Sequence, residues 1–119
     1  MNKRETGSNY EIMAQEYLEE QGFRILERNF RSRSAEIDLV AAEGKYLVFV
    51  EVKQRSTARH GSGSEAVDDR KQRRICRAAR YYLYRNRIPD GTPVRFDVVS
   101  IDAGRFRLIR NAFPWKWII

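Results

Sequence analysis

Cysteine and long apolar runs are nearly absent from this 119-residue chain, and each absence excludes a class of protein. Cys76 is the only cysteine, which excludes an internal disulfide and a cysteine-ligated zinc site and suits a reducing cytoplasm. No apolar run reaches the ~18 residues of a membrane-spanning helix, so no membrane is expected as a partner. The N-terminal MNKRETGSNYEIM has no apolar segment behind its basic residues, and a secretory signal peptide is therefore not expected.

Length and hydrophobic patterning together predict one α/β domain over residues 1–119, with 42% hydrophobic and 33% charged residues. Two helices are expected, over about residues 9–21 and 65–86, the second capped by Ser62 or Ser64. Five strands are expected, over residues 23–31, 35–43, 46–54, 94–102 and 105–113. This order of elements indicates a mixed central sheet with helices packed on it.

Positive charge is concentrated in one segment of the chain. The net charge is +7, yet residues 53–87 hold eleven basic and three acidic residues, so this segment carries +8 and the remainder −1. Arginine supplies 18 of the 23 basic residues, and its planar fork suits phosphate oxygens. The charge predicts a nucleic acid partner, and the alternative is a solvated helix face. The candidate phosphate contacts are Arg55, Arg59, Arg70, Arg73, Arg74, Arg77 and Arg80.

Three charged residues interrupt two otherwise apolar strands in the middle of the chain. Alternation places Ile37 and Leu39 on one face of their strand and Asp38 on the other, while Glu51 and Lys53 share a face of the next strand. In a hairpin, Asp38 and Glu51 would lie close together, with Lys53 about 6–7 Å along the strand. Such a cluster is costly in a partly buried sheet unless something compensates its charge.

Two kinds of compensation remain open from the residues alone. A structural ion pair could join Lys53 to Asp38 or Glu51. Alternatively, the two carboxylates, with the Val52 carbonyl as a third ligand, could bind Mg²⁺ or Mn²⁺, because these ions prefer oxygen ligands and also accept phosphate oxygens. Lys53 would then orient the attacking water or stabilise the developing charge.

The spacing of these residues resembles a known nuclease motif. Asp38, followed by Glu51-Val52-Lys53, is similar to the pattern of the PD-(D/E)xK superfamily. Four blocks in order, AEIDLV, FVEVKQR, EAVDDRKQRRICRAARYYL and RFDVV, resemble the YraN family of small bacterial proteins, which is related to archaeal Holliday-junction resolvases. The resemblance covers about residues 7–110, and it departs from the family at Ala35, where glycine is expected. It implies a restriction-endonuclease-like αβββαβ core and a Mg²⁺-dependent nuclease acting on DNA, including branched or damaged DNA.

Two further candidates lie on the predicted helices. Glu11 shares the inward stripe of the first helix with Ala14 and Leu18. The resemblance implies that it is an acid beside the metal, and the alternative is a capping box with Ser8 as N-cap. Lys71 lies on the stripe of the second helix that faces the sheet, from which it could reach the two carboxylates or a phosphate. Its alternative is a lysine that extends past the edge of the core.

A few polar and aromatic residues have weaker assignments. Glu36 is expected to face solvent rather than to act as an outer ligand, and Asp97 is expected to pair with an arginine. At least two of the three tyrosines in residues 81–84 are expected to pack on the sheet, with base stacking as their other use. Trp115 and Trp117 either cover the core or form a homodimer contact.

Two other functions remain open beside the nuclease. A nucleic-acid-binding module on the same fold would share the arginines but lack efficient chemistry, and its DNA affinity would not need Asp38 or Glu51. A protein–protein adaptor would have little affinity for DNA at about physiological salt.

Overall fold

A computed structural model describes residues 3–55 and 67–116 of the chain. Its elements are α1 (Lys3–Glu20), β1 (Arg24–Arg31), β2 (Glu36–Glu43), β3 (Tyr46–Arg55), α2 (Asp69–Arg85), β4 (Val94–Asp102) and β5 (Arg105–Phe113). The order of elements is the predicted one, and each strand begins and ends within one residue of its expected bounds. None of the helices in the described ranges combines the length and the apolarity needed to cross a membrane.

The five strands form one mixed sheet in the order β1-β2-β3-β4-β5. Strands β3 and β4 are parallel and the other neighbours are antiparallel. Parallel strands need a long crossover, and α2 lies in the connection between β3 and β4. The predicted α/β class with a mixed central sheet is confirmed, and the arrangement is consistent with an αβββαβ-like core.

One helix packs on each face of the sheet. The layer on the α1 face, called the α1 layer, is built from Ala14, Leu18, Phe23, Leu39, Ala41, Val48, Val50, Val99 and Ile101. The layer on the α2 face, called the α2 layer, includes Phe30, Ile37, Val40, Phe49, Ile75, Ala79, Tyr82, Phe96 and Val98. Neighbouring residues of β3 and β4 alternate between the two layers, so a side chain's position in the strand determines which helix it meets.

Both helices begin elsewhere than predicted. Helix α1 begins at Lys3, so Ser8 lies inside it and the alternative of a capping box starting at Ser8 is wrong. Helix α2 begins at Asp69, and its N-cap is Asp68, whose Oδ1 accepts the Lys71 N–H at 2.8 Å. The predicted start near residue 65 and the serine caps are therefore wrong, because an aspartate directly before the helix is among the best N-caps. Residues 62–65 themselves lie outside the described residues.

The alternation of β2 fails at Asp38, and this irregularity shapes the site. Ile37 packs in the α2 layer whereas Leu39 packs in the α1 layer, so the expected common face of these two residues is wrong. The β1–β2 register sets Asp38 opposite Asn29, whose φ of 55° lies in the left-handed region. The β2–β3 ladder runs only from the turn to Leu39 and Val50. Beyond that pair, Asp38 contacts β3 through its side-chain carboxylate and not through its own backbone.

Candidate metal and phosphate site

Asp38 is the centre of the candidate site. Its Oδ2 accepts the backbone N–H of Val52 at 2.7 Å, which fixes the carboxylate against β3 just beyond the last paired residues. Burial and the nearby charge of Glu51 raise the pKa of Asp38 to about 8, from an ordinary value of 3.8. One backbone hydrogen bond does not offset these two effects, so the ionised carboxylate has a deficit of positive charge around it.

Two other carboxylates share this position. One oxygen each from Glu11, Glu36 and Asp38 lie within 4.8 Å of one another, and all three side chains are half-buried. Glu11 comes from α1, where Ala14 and Leu18 on the same stripe are fully buried, as the helical spacing predicted. Burial raises the pKa of Glu11, although a hydrogen bond with the Asn29 side chain acts in the opposite direction. Glu36 also lies 3.6 Å from the Nε of Arg31.

Glu51 lies beside this group but is held by a lysine from α2. Its side chain is 6% exposed, and its Oε1 lies 2.5 Å from the Nζ of Lys71. The predicted reach of Lys71 toward the sheet is therefore observed, and the backbone N–H of the same residue donates to the Asp68 cap. Asp38 is affected by both charges, with Glu51 raising its pKa and Lys71 lowering it by a smaller amount.

The other predicted site residues lie on β3. Lys53 is half-buried, and alternation places it on the same face as Glu51. Within the described residues it forms no ion pair with Asp38 or Glu51, so the alternative of a structural pair to Lys53 is wrong and Lys71 takes that place. The backbone N–H of Val52 is committed to Asp38. These contacts bring Glu11, Glu36 and Asp38 together, with Glu51 and its lysine alongside.

The divalent ion that the sequence predicts can be tested against these side chains. Asp38 has no cation of its own among the described residues, and two further carboxylate oxygens lie within reach of the same point. Several clustered carboxylates form a hard oxygen site, which suits Mg²⁺ or Mn²⁺ and excludes metals that prefer sulfur. The donor set fits such an ion, and Glu11 and Glu36 would add ligands that the two-carboxylate prediction did not include together.

The sequence matches the family described as "Uncharacterised protein family UPF0102" over residues 10–101. The chain belongs to the UPF0102 family. It is 53% identical over 113 residues to a UPF0102 protein of Lachnoclostridium phytofermentans, which covers 95% of this chain and 96% of the relative. It is 49% identical over 115 residues to relatives from Desulforapulum autotrophicum, covering 93% and 94% of the two chains, and from Symbiobacterium thermophilum, covering 92% and 97%. The family membership predicted under the name YraN is confirmed.

Helix α2, which supplies Lys71 to the site, also carries exposed arginines. The described candidates Arg70, Arg73, Arg74, Arg77 and Arg80 are all exposed on α2. One of them, Arg73, also lies 3.0 Å from Asp69 in an ion pair one helical turn apart. The predicted contacts of Arg59 and of the Arg55 side chain lie outside the part of the chain that the structure describes. The exposed helix face therefore offers at least four arginines without a described carboxylate partner.

The predicted packing of the tyrosines and tryptophans has a different outcome for each residue. Tyr82 is 6% exposed and packs edge-on against Phe30 and Phe49, as expected of a core residue. Tyr81 is 46% exposed, yet its ring lies 6.0 Å from that of Phe30 on β1, so two of the three tyrosines pack on the sheet as expected. Tyr84 is 82% exposed. Trp115 packs against a core phenylalanine at 4.9 Å between ring centroids and is 40% exposed, while Trp117 lies outside the described residues.

A second charged cluster joins side chains of β2, β4 and β5, and only one of its pairs was expected from the sequence. Asp97, fully buried, accepts hydrogen bonds from Arg95 at 2.9 and 2.8 Å, which is the arginine partner that was expected. The same arginine contacts Glu43, which in turn receives two hydrogen bonds from Arg110. These residues are up to 67 positions apart, so no local pattern could have identified the network.

Proposed function

We propose that this protein is a metal-dependent nuclease that hydrolyses phosphodiester bonds in DNA. The observation that carries the proposal is the meeting of three carboxylates within 4.8 Å around Asp38, whose raised pKa shows that the fold supplies too little positive charge there. In addition, helix α2 carries a cluster of exposed arginines. A phosphodiesterase site needs acids that bind a metal ion and basic residues that bind the phosphates, and this protein has both kinds of residue.

Asp38, Glu11 and Glu36 would hold Mg²⁺ or Mn²⁺, with Glu51 and the Val52 carbonyl as further ligands. When bound, the ion supplies positive charge to the phosphate oxygens and acidifies a water molecule. The remaining work belongs to the chain itself. Val52 fixes Asp38 through its N–H, and Glu51 lies buried beside the acids in its pair with Lys71.

The two lysines have different tasks in this proposal. Lys71 neutralises Glu51 in the metal-free protein, and its ammonium lies where a substrate phosphate can also attract it. Lys53, on the same face and without an acidic partner among the described residues, orients the attacking water or stabilises charge on the phosphate. The α2 arginines hold the backbone on either side of the reacting bond.

One observation favours a second function, a nucleic-acid-binding module without chemistry. Glu51 is already paired with Lys71 at 2.5 Å and does not belong to the group of three carboxylates, so the expected Asp38–Glu51 ligand pair is incomplete in this state. A binding module would keep the exposed arginines and use the lysine only as a structural counter-charge. The two functions differ in the role of the acids. A nuclease needs them for cleavage, whereas in a binding module they would affect only the stability of the fold.

Cleavage of a labelled panel of single-stranded, duplex, flap and four-way-junction DNA in Mn²⁺ and Mg²⁺ tests the proposal. We expect cutting of at least one substrate, reduced about a hundredfold or more in Asp38→Asn and Lys53→Ala. Asp90→Asn is the matched control, because Asp90 is exposed in the connection before β4 and far along the chain from the acids. Tight, salt-dependent binding by a folded wild type that cuts nothing would overturn the nuclease and support the binding module.

A further inference from the structure

A basic cavity lies beside the acidic site, between the β1–β2 connection and one face of α2. It has a volume of about 550 Å³ and is lined by residues 31–34 together with Arg77, Tyr81 and Arg85. The three helix residues are four positions apart and therefore share a face. The volume falls within the usual range for a small-molecule pocket, so the cavity has room for a group the size of a nucleotide.

The described lining of this cavity carries positive charge and no carboxylate. Four of its residues are arginines, and within the described residues only Arg31 has an acidic partner, Glu36 at 3.6 Å. Arg33, Arg77 and Arg85 are exposed and have no described carboxylate within ion-pair distance. Cations that a fold brings together without acids favour an anion between them, and the arginine fork suits phosphate in particular.

An aromatic ring completes the cavity. Tyr81 is 46% exposed, and its ring centroid lies 6.0 Å from that of buried Phe30, which supports it from the core side. A supported and accessible aromatic ring is a platform on which a nucleobase can stack. Bases inside a duplex are already stacked on their neighbours, so this platform suits a base that has left the helix or was never paired.

The loop that forms one wall is held in shape and leads directly into the acidic site. Ser32 Oγ accepts the backbone N–H groups of Ser34 and Ala35 at 3.1 and 3.3 Å and donates to the Ala35 carbonyl at 3.2 Å. Glu36 and Asp38 follow at once, and Ser34 is at most about 13 Å from Asp38 along an extended chain. At about 3.4 Å per nucleotide along one strand, the cavity and the acids are separated by no more than about four nucleotide steps.

We propose that this cavity binds one unpaired nucleotide of the substrate strand close to the bond that is cut. Its phosphate lies among Arg33, Arg77 and Arg85, and its base stacks on Tyr81. The inference rests on the proposed function and narrows it, because the protein would then prefer DNA in which a single-stranded segment adjoins the reacting position. A blunt duplex would use the α2 arginines but leave this cavity empty.

Binding without metal ions tests the cavity separately from cleavage. Fluorescence anisotropy in EDTA would compare a labelled blunt duplex with the same duplex carrying a single-stranded overhang. We expect the wild type to prefer the overhang, and Tyr81→Ala to weaken overhang binding roughly tenfold, the effect of one base–aromatic stack, with blunt-duplex binding unchanged. Tyr81→Phe keeps the ring and should retain the preference.

The arginines provide a second measurement. Arg33→Ala and Arg85→Ala should each weaken overhang binding and lower its salt slope by about one phosphate contact. Arg107→Ala is the matched control, because this exposed arginine lies on β5 and lines neither site, and it should change neither quantity.

Equal binding of both DNAs by the wild type, or an equal loss for both DNAs in Tyr81→Ala, would overturn the cavity proposal. Neither result bears on cleavage in Mn²⁺, which can still succeed on another substrate. Conversely, an overhang preference that depends on Tyr81 in a protein that never cuts would support the binding of an unpaired nucleotide in the cavity. It would overturn the nuclease, and with it the placement of that nucleotide beside a bond that is cut.

Discussion

Two aspartates of this protein have the same backbone role in opposite electrostatic surroundings. Asp38 on β2 accepts the N–H of Val52, and Asp97 on β4 accepts the N–H of Asn111, at 2.7 and 2.9 Å. Each bond lies at an interruption of a strand ladder. Asp97 also receives two hydrogen bonds from Arg95, whereas Asp38 has three glutamates as neighbours.

The difference separates a structural acid from a functional one. The Asp97 cluster is balanced, because Arg95 and Arg110 face Asp97 and Glu43, and hydrogen bonds from Arg110 and Arg95 lower the pKa of Glu43 to about 2. At the Asp38 end, Lys71 reaches the acids but is paired with Glu51 and not with Asp38. Buried acids that the protein does not neutralise call for a cation from solution, and such groups occur mostly at functional sites.

The same substitution at the two positions should therefore have different effects. Asp97→Asn removes a charge from a residue that is fully buried against Arg95, and we expect a loss of about 3 kcal/mol in the free energy of unfolding. Asp38→Asn keeps an acceptor for Val52 and, like the protonated acid that the raised pKa of Asp38 favours at pH 7, carries no charge, so its effect at pH 7 should be smaller than about 1 kcal/mol. Urea unfolding measures both.

The contrast between Asp38 and Asp97 would fail if the free energy of unfolding fell by the same amount in Asp38→Asn and Asp97→Asn. That result would mean that Asp38 is as well compensated as Asp97, and the argument for a cation at the acids would lose its basis. A combined variant should lose the sum of the two single effects, because the clusters share no partner in the described contacts.

Much of this site follows from periodicity in the sequence. The strands were predictable because apolar and charged residues alternate over known lengths between turn signals, and the orientation of Lys71 and Glu11 followed from helical spacing. These patterns act over a few residues, which is the range over which a sequence specifies side-chain direction. The family resemblance then indicated which charged residues belong together.

The remainder depends on contacts between distant segments. The left-handed backbone at Asn29 and the broken alternation at Asp38 change which face each β2 residue meets, and neither is encoded by a local pattern that alternation can detect. The choice of Lys71 over Lys53 as the partner of Glu51 depends on how closely α2 packs on the sheet. Sequence alone leaves such choices open because both lysines have the reach.

A divalent ion should stabilise the protein through the acids around Asp38 and not through the Arg95 cluster. The expected change in the free energy of unfolding is almost as large as that of Asp97→Asn. Mn²⁺ at about a hundred times its dissociation constant should stabilise the wild type by about 2.7 kcal/mol, since only the folded state brings the acids together. Asp38→Asn and Glu11→Gln should lose most of this gain, and EDTA should reverse it. Asp90→Asn, the exposed control, should retain it, and thermal unfolding with and without Mn²⁺ gives the comparison.

An equal Mn²⁺ effect in Asp38→Asn and in the wild type would place the ion elsewhere and remove the acids from the proposed mechanism. Stabilisation that is lost in Glu11→Gln but kept in Glu51→Gln would sharpen the site instead. It would assign the ion to the group of three carboxylates and leave Glu51 as the partner of Lys71.

The smallest expected effect is a change in the free energy of unfolding with pH. It comes from Asp38 and not from the Arg95 cluster. The pKa of Asp38 is raised to about 8 from 3.8, so the folded protein holds this proton more tightly than the unfolded chain does. The stabilisation from the bound proton is fully present below pH 3.8 and is lost as the pH rises through 8. Without metal, the free energy of unfolding should fall by about 1.4 kcal/mol between roughly pH 7 and 9.

The Arg95 cluster cannot produce this slope. The lowered pKa of Glu43, at about 2, gives a contribution that is present above pH 4.5 and is lost only as the pH falls toward 2. Asp38→Asn should therefore flatten the alkaline limb and leave the acid limb, while Glu43→Gln should do the reverse. An alkaline slope that persists in Asp38→Asn would assign the titration to another group and weaken the contrast between the two aspartates.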